Sequence, residues 1–486
     1  VRLVFILFTL QAIAFNSHAD DWMDYVNAGL EVLDKQMEHS EKPIEPRAAL
    51  ALPTDMPAHW QFKYVDEPVF HSKIVVLETG KQHQETILLV HGLGQLGFKD
   101  WLDVIPHLEK RYHVIAFDLP GFGLSQVPQG RYNPTNFALV VESIVAKFAK
   151  PKLTVIGHSM GGAISLRYAA TNQQRLQKLI LVDAAGILEK TAFIKSASKL
   201  PIDVTYLPGA VQKKIAQLND FGAKMIEYGS INIPVSDILK NSDVVWRSLL
   251  SDAPNINAAV SLVEANFSQN VNQLTVATEL IWGEDDPIAP LRTGIVLSKV
   301  LPNATLAIIE GAAHVPMKSH NKQFLNVLDQ ALERSNKQRP DLKPHSVMQD
   351  QLVCDNQQNQ TYSGHYYSVS INNCINITID NLTTNHLYIK DSLVNISNLN
   401  VSSPNTAIEI VGSTLKVTNG TISGKRALFI DDSRIDMAGV KLYARQQAAQ
   451  IARSSTVIFS LSTFNNTNTI RHLHGAYRLS DQSLLK

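Results

Sequence analysis

The sequence predicts an α/β domain followed by an all-β domain of a different kind, and three observations carry that prediction. From about residue 73 to residue 331, short β-branched runs alternate with amphipathic helical stretches. After the polar, proline-bearing segment 333–346, "ERSNKQRPDLKPHS", Asn, Thr, Ser, Ile and Val dominate and helical periodicity largely disappears. Within this second half a repeat of about twenty residues runs in three columns at once. A chain of 486 residues is also too long for one ordinary core, so two or three domains are expected.

The expected strands of the first half are 74–77, 86–90, 114–117, 153–156, 179–182, 280–282 and 305–309. Most are continuous apolar runs, as strands buried on both faces of a parallel sheet require. Between residues 182 and 280 the rhythm breaks, because almost a hundred residues pass without a strong strand signal. An inserted helical unit, a cap of about 187–272 over one end of the sheet, fits that interval. Its Phe193, Tyr206, Phe221, Tyr228 and Trp246 could face a substrate or glue the cap to itself.

The repeat of the second half is read from three columns. Ile389, Ile410, Ile430 and Ile451 form one; Ser392, Ser413, Ser433 and Ser454 another; Ile396, Val417, Met437 and Ile458 the third, all at steps of 21, 20 and 21 residues. Alternating apolar residues broken by small or polar corners suit a right-handed parallel β-helix, in which each rung buries its inward side chains on those of its neighbours. Such a domain over 347–486 holds roughly four to five rungs. A small antiparallel sandwich of hairpins is the competing arrangement.

The first nineteen residues read as an export signal. Arg2 supplies a positive start, residues 3–15 are mostly apolar, and Ser17-His18-Ala19 is a small-x-small cleavage site that would leave Asp20 first. A membrane anchor is the rival reading, but the run is short and polar sequence follows it. No other segment could span a bilayer, so the mature chain is expected in a bacterial periplasm or outside the cell. Cys354 and Cys374 are the only cysteines; in an exported protein they could form a disulfide that contributes about 3 kcal/mol, the alternative being two unpaired thiols. Two cysteines alone do not make a zinc site. The balance of 44 basic and 44 acidic side chains leaves no net field to attract nucleic acid.

The chemistry is concentrated in "VIGHSMGGAIS", where Ser159 stands between Gly157 and Gly161 after an apolar run and before a helix expected over about 162–170. This is G-x-S-x-G between a strand and a helix. A residue at the apex of so tight a corner is strained, and only residues without bulky side chains can stand where strand and helix pack closely. The corner lifts the hydroxyl to the amino end of a helix, whose free N–H groups favour negative charge. A lone serine hydroxyl is almost never ionised at neutral pH, so a base and an acid are needed as well.

On these residues the sequence resembles the α/β-hydrolase family, in particular its cap-bearing serine-hydrolase branch. The resemblance covers roughly residues 60–332 and rests on "HGLG" at 91–94, "DLPGFGLS" at 118–125, "GHSMGG" at 157–162, "WGEDDPIAP" at 282–290 and "GAAHVPM" at 311–317, in the family's order. It implies an α/β-hydrolase core with a helical cap. It also implies Ser159 as nucleophile, His314 as general base and Asp286 as the carboxylate that orients the imidazole. Glu284 and Asp285 compete with Asp286 but are expected to face solvent or shape the turn. Asp183 is an outside candidate, since some relatives place the acid after that strand. Met160 by the geometry of the corner, and Leu93 by resemblance, supply the backbone N–H groups of an oxyanion hole. His91 and Asp118 read as structural, and His158 as lying beside the nucleophile but facing away from its hydroxyl.

The leading expectation is an exported serine hydrolase that cuts a carboxylic ester, or less readily a thioester or amide, through an acyl-enzyme, with an apolar small-molecule acyl substrate. Serine at the corner speaks against the carbon–halogen and epoxide chemistries of relatives that carry Asp there. Carbon–carbon hydrolases do use serine, but "HGLGQLG" lacks their extra glycine pattern. An acyltransferase or perhydrolase would use the same three side chains. From another class comes a binding protein whose β-helix grips a polysaccharide or surface polymer and whose hydrolase half is inactive. Asp431, Asp432 and Asp436 form a tight acidic cluster in the repeat, as solvated corners or as a polysaccharide-cleaving site. No metal or organic cofactor is implied, for no P-loop, dinucleotide fingerprint or His-Cys cluster stands where one would be needed.

Overall fold

The computed structural model describes residues 48–188, 254–334, 348–466 and 469–479. The expected signal segment, most of the cap with its five aromatic residues, and most of the linker lie outside the described residues. Those described fall into two compact units, one drawn from 1–150 and 191–265, the other from 151–190 and 266–486. Among the described residues no helix is long and apolar enough to cross a membrane.

In the first unit, β1 (Gln61–Glu67), β2 (Ser72–Thr79), β3 (Glu85–Val90) and β4 (His113–Phe117) lie in the order β1-β2-β4-β3. β3 and β4 are parallel, whereas β2 is antiparallel to both β1 and β4. An all-parallel sheet is therefore corrected at this edge. The reason is local: only residues 80–84 separate β2 from β3, so the chain reverses before it enters the parallel pair, while β1 and β2 form a hairpin across the short turn 68–71. The buried Glu67 carboxylate ties that turn by accepting from the backbone N–H groups of Val69, Phe70 and Ser72. β1 itself escaped the sequence reading because "QFKYVDE" is half exposed and carries little apolar signal.

The helix α1 (Ile105–Leu108) precedes β4, and α2 (Pro134–Phe148) follows it. Asn133 caps α2 by accepting from Asn136 N–H at 2.8 Å, with Pro134 in the first turn where its missing N–H costs nothing. α2 buries Phe137, Val140, Val141, Ile144 and Val145 at helical spacing. α4 (Pro254–Glu264), which lies within the expected cap interval, is fastened through buried Asn257, whose side chain accepts from Tyr132 N–H and donates to the Gly130 carbonyl.

The second unit opens with four parallel strands, β5 (Lys152–His158), β6 (Leu176–Val182), β7 (Thr278–Gly283) and β8 (Ala304–Ile309), in that order. Helices α3 (Met160–Thr171), α5 (Ser268–Gln273), α6 (Arg292–Val300), α7 (Pro316–Ser319) and α8 (Asn321–Glu333) accompany them. β5 and β6 are buried along nearly their whole length, as parallel strands covered on both faces must be. All seven strands expected from the sequence are present, each one to four residues longer. The helix after the corner starts at Met160, two residues earlier than the glycines suggested.

The same unit continues into an all-β stack: β9 (Gln349–Asp355), β10 (Thr361–Asn372), β11 (Ile377–Thr384), β12 (Leu387–Lys390), β13 (Leu393–Ser402), β14 (Thr406–Val411), β15 (Thr414–Asp431), β16 (Arg434–Ile451), β17 (Ser455–Asn465) and β18 (Ile470–Leu479). Pairing is parallel throughout except at the last strand, which runs antiparallel to β17. This is a β-helix-like stack, not a sandwich of hairpins. Ile389, Ile410, Ile430 and Ile451 are register partners in successive rungs, all buried. The serine column is a hydrogen-bond ladder: Ser392 N–H donates to Ser413 Oγ, Ser413 N–H to Ser433 Oγ, and Ser433 N–H to Ser455 Oγ. Each of these acceptor hydroxyls donates in turn to the carbonyl two residues before it, so a buried corner leaves neither function unmet.

Two column members are corrected. The fourth serine is Ser455, not Ser454, and Met437 pairs with Phe459, not Ile458. Ile451 keeps its place, so the extra residue enters in the corner between it and Ser455, where a loop absorbs it at little cost. Cys354 and Cys374 form the disulfide, in neighbouring rungs at the start of the stack.

Candidate active site

The corner after β5 is built as its glycines require. Ser159 has φ 53° and ψ −120°, outside the regions an L-residue favours. Four backbone bonds hold it there: its N–H donates to Val182 O at 3.0 Å, and its carbonyl accepts from Gly162 N–H at 3.0 Å, Ala185 N–H at 3.1 Å and Ala163 N–H at 3.3 Å. A Cβ on Gly157 would sit 2.3 Å from the Gly161 carbonyl oxygen and 2.4 Å from Ser165 Oγ, so no larger residue fits at position 157. The result places Ser159 at the first turn of α3, with Met160 as the first helical residue.

Three side chains separated widely in sequence meet here. His314 Nε2 lies 2.8 Å from Ser159 Oγ, and its Nδ1 lies 2.8 Å from Asp286 Oδ2. Asp286 is in turn oriented through Oδ1, which accepts from Ile288 N–H at 2.8 Å and Ala289 N–H at 3.0 Å. With Nδ1–H directed at a carboxylate, Nε2 is left to accept from the serine hydroxyl. The competing acids stand elsewhere: Glu284 and Asp285 are exposed, and Glu284 accepts from Gly311 N–H at the turn.

Asp183, at the end of β6, is fully buried with φ 44°, and its Oδ1 accepts from Gly283 N–H at 2.8 Å. Burial first, and the neighbouring Asp286 carboxyl second, push its own carboxyl well above the usual range. His158 has a task the sequence did not reveal. Its Nε2–H donates to the His314 carbonyl at 2.8 Å and its ring lies 5.1 Å from the His314 ring, bracing the loop that carries the imidazole. Only the chain's return after β8 brings that loop within reach, which no local pattern encodes.

Other expected site residues lie in the first unit. Leu93 is half-buried in the loop after β3. His91 is buried, accepting from Leu119 N–H through Nε2 and donating to Gly92 O through Nδ1. Asp118 accepts from Phe98 and Leu124 N–H across the "PGFG" turn, and burial raises its carboxyl. That unit also contains a look-alike: Thr86 Oγ1 is 3.1 Å from His113 Nδ1, and His113 Nε2 is 3.0 Å from Glu78 Oε1. Thr86 is 1 % exposed and its hydroxyl already accepts from Lys150 N–H, so no substrate can reach a nucleophile there. Burial opposes the charge on Glu78, but Lys63, Lys81 and His113 outweigh it and hold the carboxyl at about 2. The arrangement is an ion cluster that ties the sheet edge together.

The acidic cluster of the repeat is divided between two arginines. Asp431 pairs with Arg453 at 2.6 Å, and Asp436 with Arg292 at 2.8 Å. Among the described residues no group of three or more His, Cys, Asp or Glu could hold a metal ion.

Residues 85–214 match the α/β hydrolase fold family. The chain is 29% identical over 249 residues to Lipase 1 of Psychrobacter immobilis, covering 50% of this chain and 76% of the lipase. It is 25% identical over 257 residues to the pimeloyl-[acyl-carrier protein] methyl ester esterase of Legionella pneumophila, covering 51% of this chain and 95% of that enzyme. Among solved structures, an esterase from Exiguobacterium antarcticum aligns over 56% of this chain and all of its own with a TM-score of 0.43 at 19% identity.

Proposed function

We propose that this chain, whose residues 85–214 match the α/β hydrolase fold family, is a serine hydrolase acting on carboxylic esters through Ser159, His314 and Asp286. The observation that carries the proposal is the continuous hydrogen-bonded line from Ser159 Oγ through the His314 ring to Asp286. In the first step Ser159 Oγ attacks the ester carbonyl carbon while His314 Nε2 takes the hydroxyl proton. Negative charge gathers on the carbonyl oxygen, and in this reading Met160, the first residue of α3, offers its backbone N–H to that charge. Collapse expels the alcohol, which leaves with the proton held by His314. Water then attacks the acyl-enzyme with His314 again as base, and acid and free serine are restored. Asp286 keeps the imidazole in one tautomer and stabilises its cation. That the lipase and the methyl ester esterase act on esters, as their names say, supports the substrate class.

The reading extends to an exported enzyme, for a disulfide between Cys354 and Cys374 persists in an oxidising compartment and agrees with the signal-like first nineteen residues. Both parts are tested together by expressing the chain with its own leader, recovering exported protein and treating it with a fluorophosphonate probe. A labelled protein with Asp20 as its first residue, hydrolysing p-nitrophenyl esters of graded acyl length, is expected. Ser159→Ala should abolish labelling and lower kcat by at least about 10³-fold. Intact protein that neither labels nor turns over any ester would overturn the enzymatic reading; protein retained in the cytoplasm would overturn the export.

A further inference from the structure

The segment from Asp286 to α6 is a short strap with both ends held. At one end Asp286 Oδ1 accepts from Ile288 and Ala289 N–H, and the indole of Trp282 donates to the Ala289 carbonyl at 2.7 Å. Thr293 N–H donates to Pro290 O at 2.8 Å, which carries the strap into α6. At the other end stands Arg292, six residues after Asp286, whose guanidinium reaches the repeat half. Its Nε donates to Thr418 Oγ1 at 2.9 Å, Nη1 to Asp436 Oδ2 at 2.8 Å, and Nη2 both to Asp436 Oδ1 at 3.1 Å and to the Val417 carbonyl at 2.9 Å.

The geometry of this grip is specific. A guanidinium engaged by both oxygens of one carboxylate, a hydroxyl and a carbonyl has its position and its plane determined. The side chain is only 10% exposed, so water competes weakly for these bonds. One turn further along α6, a Cβ on Gly439 of β16 would lie 3.0 Å from Val296, so the stack meets the helix closely there. Asn272 of α5 likewise reaches His472 of β18 at 3.0 Å. The rungs that make these contacts are the later ones, β15 to β18.

We propose that the repeat stack is a brace for the acid loop, and that Arg292, gripped by Thr418, Val417 and Asp436, is a positioning residue for Asp286. The inference rests on the Ser159–His314–Asp286 reading and deepens it: the second half of the chain contributes to catalysis without touching substrate. Loss of the grip frees α6 at its first residue, lengthens the unsupported part of the strap and lets the carboxylate drift from His314 Nδ1. A displacement of about 1 Å in a catalytic group costs up to about 100-fold in rate. A loosened carboxylate also stabilises the imidazolium less, so the limb of the pH profile that reports loss of the base at low pH moves to lower pH.

The test compares full-length wild type, Arg292→Ala, Asp436→Asn and the double variant, with folding checked by circular dichroism at the assay temperature. Expected are a fall in kcat and in the fluorophosphonate labelling rate of about 10- to 100-fold, an unchanged KM, and an acid limb displaced to lower pH. The two single changes should not multiply in the double variant, because they remove the same contact. Asp436→Asn keeps shape and one acceptor, so it provides a folded variant should Arg292→Ala fail to fold. Folded variants that label at the wild-type rate with the acid limb unmoved would overturn the brace, even if their melting temperature falls. Wild type that does not label would instead overturn the catalytic reading on which the brace depends.

Discussion

The corner at Ser159 and the corners of the β stack put non-glycine residues into the same left-handed backbone half-plane for opposite reasons. Ser159 at φ 53° and Asp183 at φ 44° are single positions at the ends of adjacent strands. Serine is not a residue type that prefers this region, and Ser159 is held there by backbone bonds to Val182, Gly162, Ala163 and Ala185. In the stack the same region is occupied by asparagine again and again, as at Asn359, Asn376, Asn381, Asn398 and Asn419. Asparagine enters it cheaply, and its amide continues the ladder: Asn376 Nδ2 donates to Asn359 Oδ1, and Asn398 Nδ2 to Asn381 Oδ1. Strain concentrated at one point displays a reactive group; strain spread over a repeat is absorbed by residue choice.

Substitutions in the two regions should therefore behave differently. The largest effect is expected from Gly157→Ala, whose new methyl group meets the Gly161 carbonyl oxygen at 2.3 Å and forces the corner apart. It should cost about 3 kcal/mol in denaturant unfolding, and Ser159 labelling should fall about 100-fold even where the protein remains folded. Labelling near the wild-type rate would mean that the hydroxyl does not depend on this close packing. Next comes Ser392→Ala, which leaves the buried Cys374 N–H without its acceptor at 2.9 Å. A loss of about 1–3 kcal/mol with labelling unchanged is expected, measured with the disulfide intact. No loss would show that the ladder is incidental to the stack.

The smallest effect belongs to the exposed corner at Asn398, where φ is 57°. Asn398→Gly keeps the conformation and gives up only the amide bond to Asn381, so its stability should stay within about 0.5 kcal/mol of wild type. Asn398→Ala keeps neither and should cost about 1–2 kcal/mol. Equal effects of the two changes would remove the distinction between residue-borne and neighbour-borne strain.

Much of both halves was legible because the controlling interactions are short in sequence or periodic. A glycine two positions on either side of Ser159 reports the tight corner directly, and Ile389, Ile410 and Ile430 announce their stacking by their spacing. Where the period changed, the reading failed by one residue: nothing in "IARSSTV" says which of two adjacent serines faces the ladder. Ser455 is selected because its hydroxyl meets Ser433 N–H. The direction of β2 was missed for a related reason, since an apolar run records burial but not the polarity of the neighbouring strand.

From its residues alone this chain determined the corner that displays Ser159, the seven apolar strands of the first half and the repeating column of the second. These depend on backbone sterics and on the burial of apolar side chains, both of which leave marks within a few residues or at a fixed step. Tertiary structure decided which of three neighbouring acids meets His314, why His158 faces the carbonyl of that residue, and that Asp436 belongs to Arg292 rather than to a cluster of its own. Each of those is a polar contact between segments distant along the chain, and its energy depends on direction and separation of a few ångströms, quantities that exist only once the chain has folded.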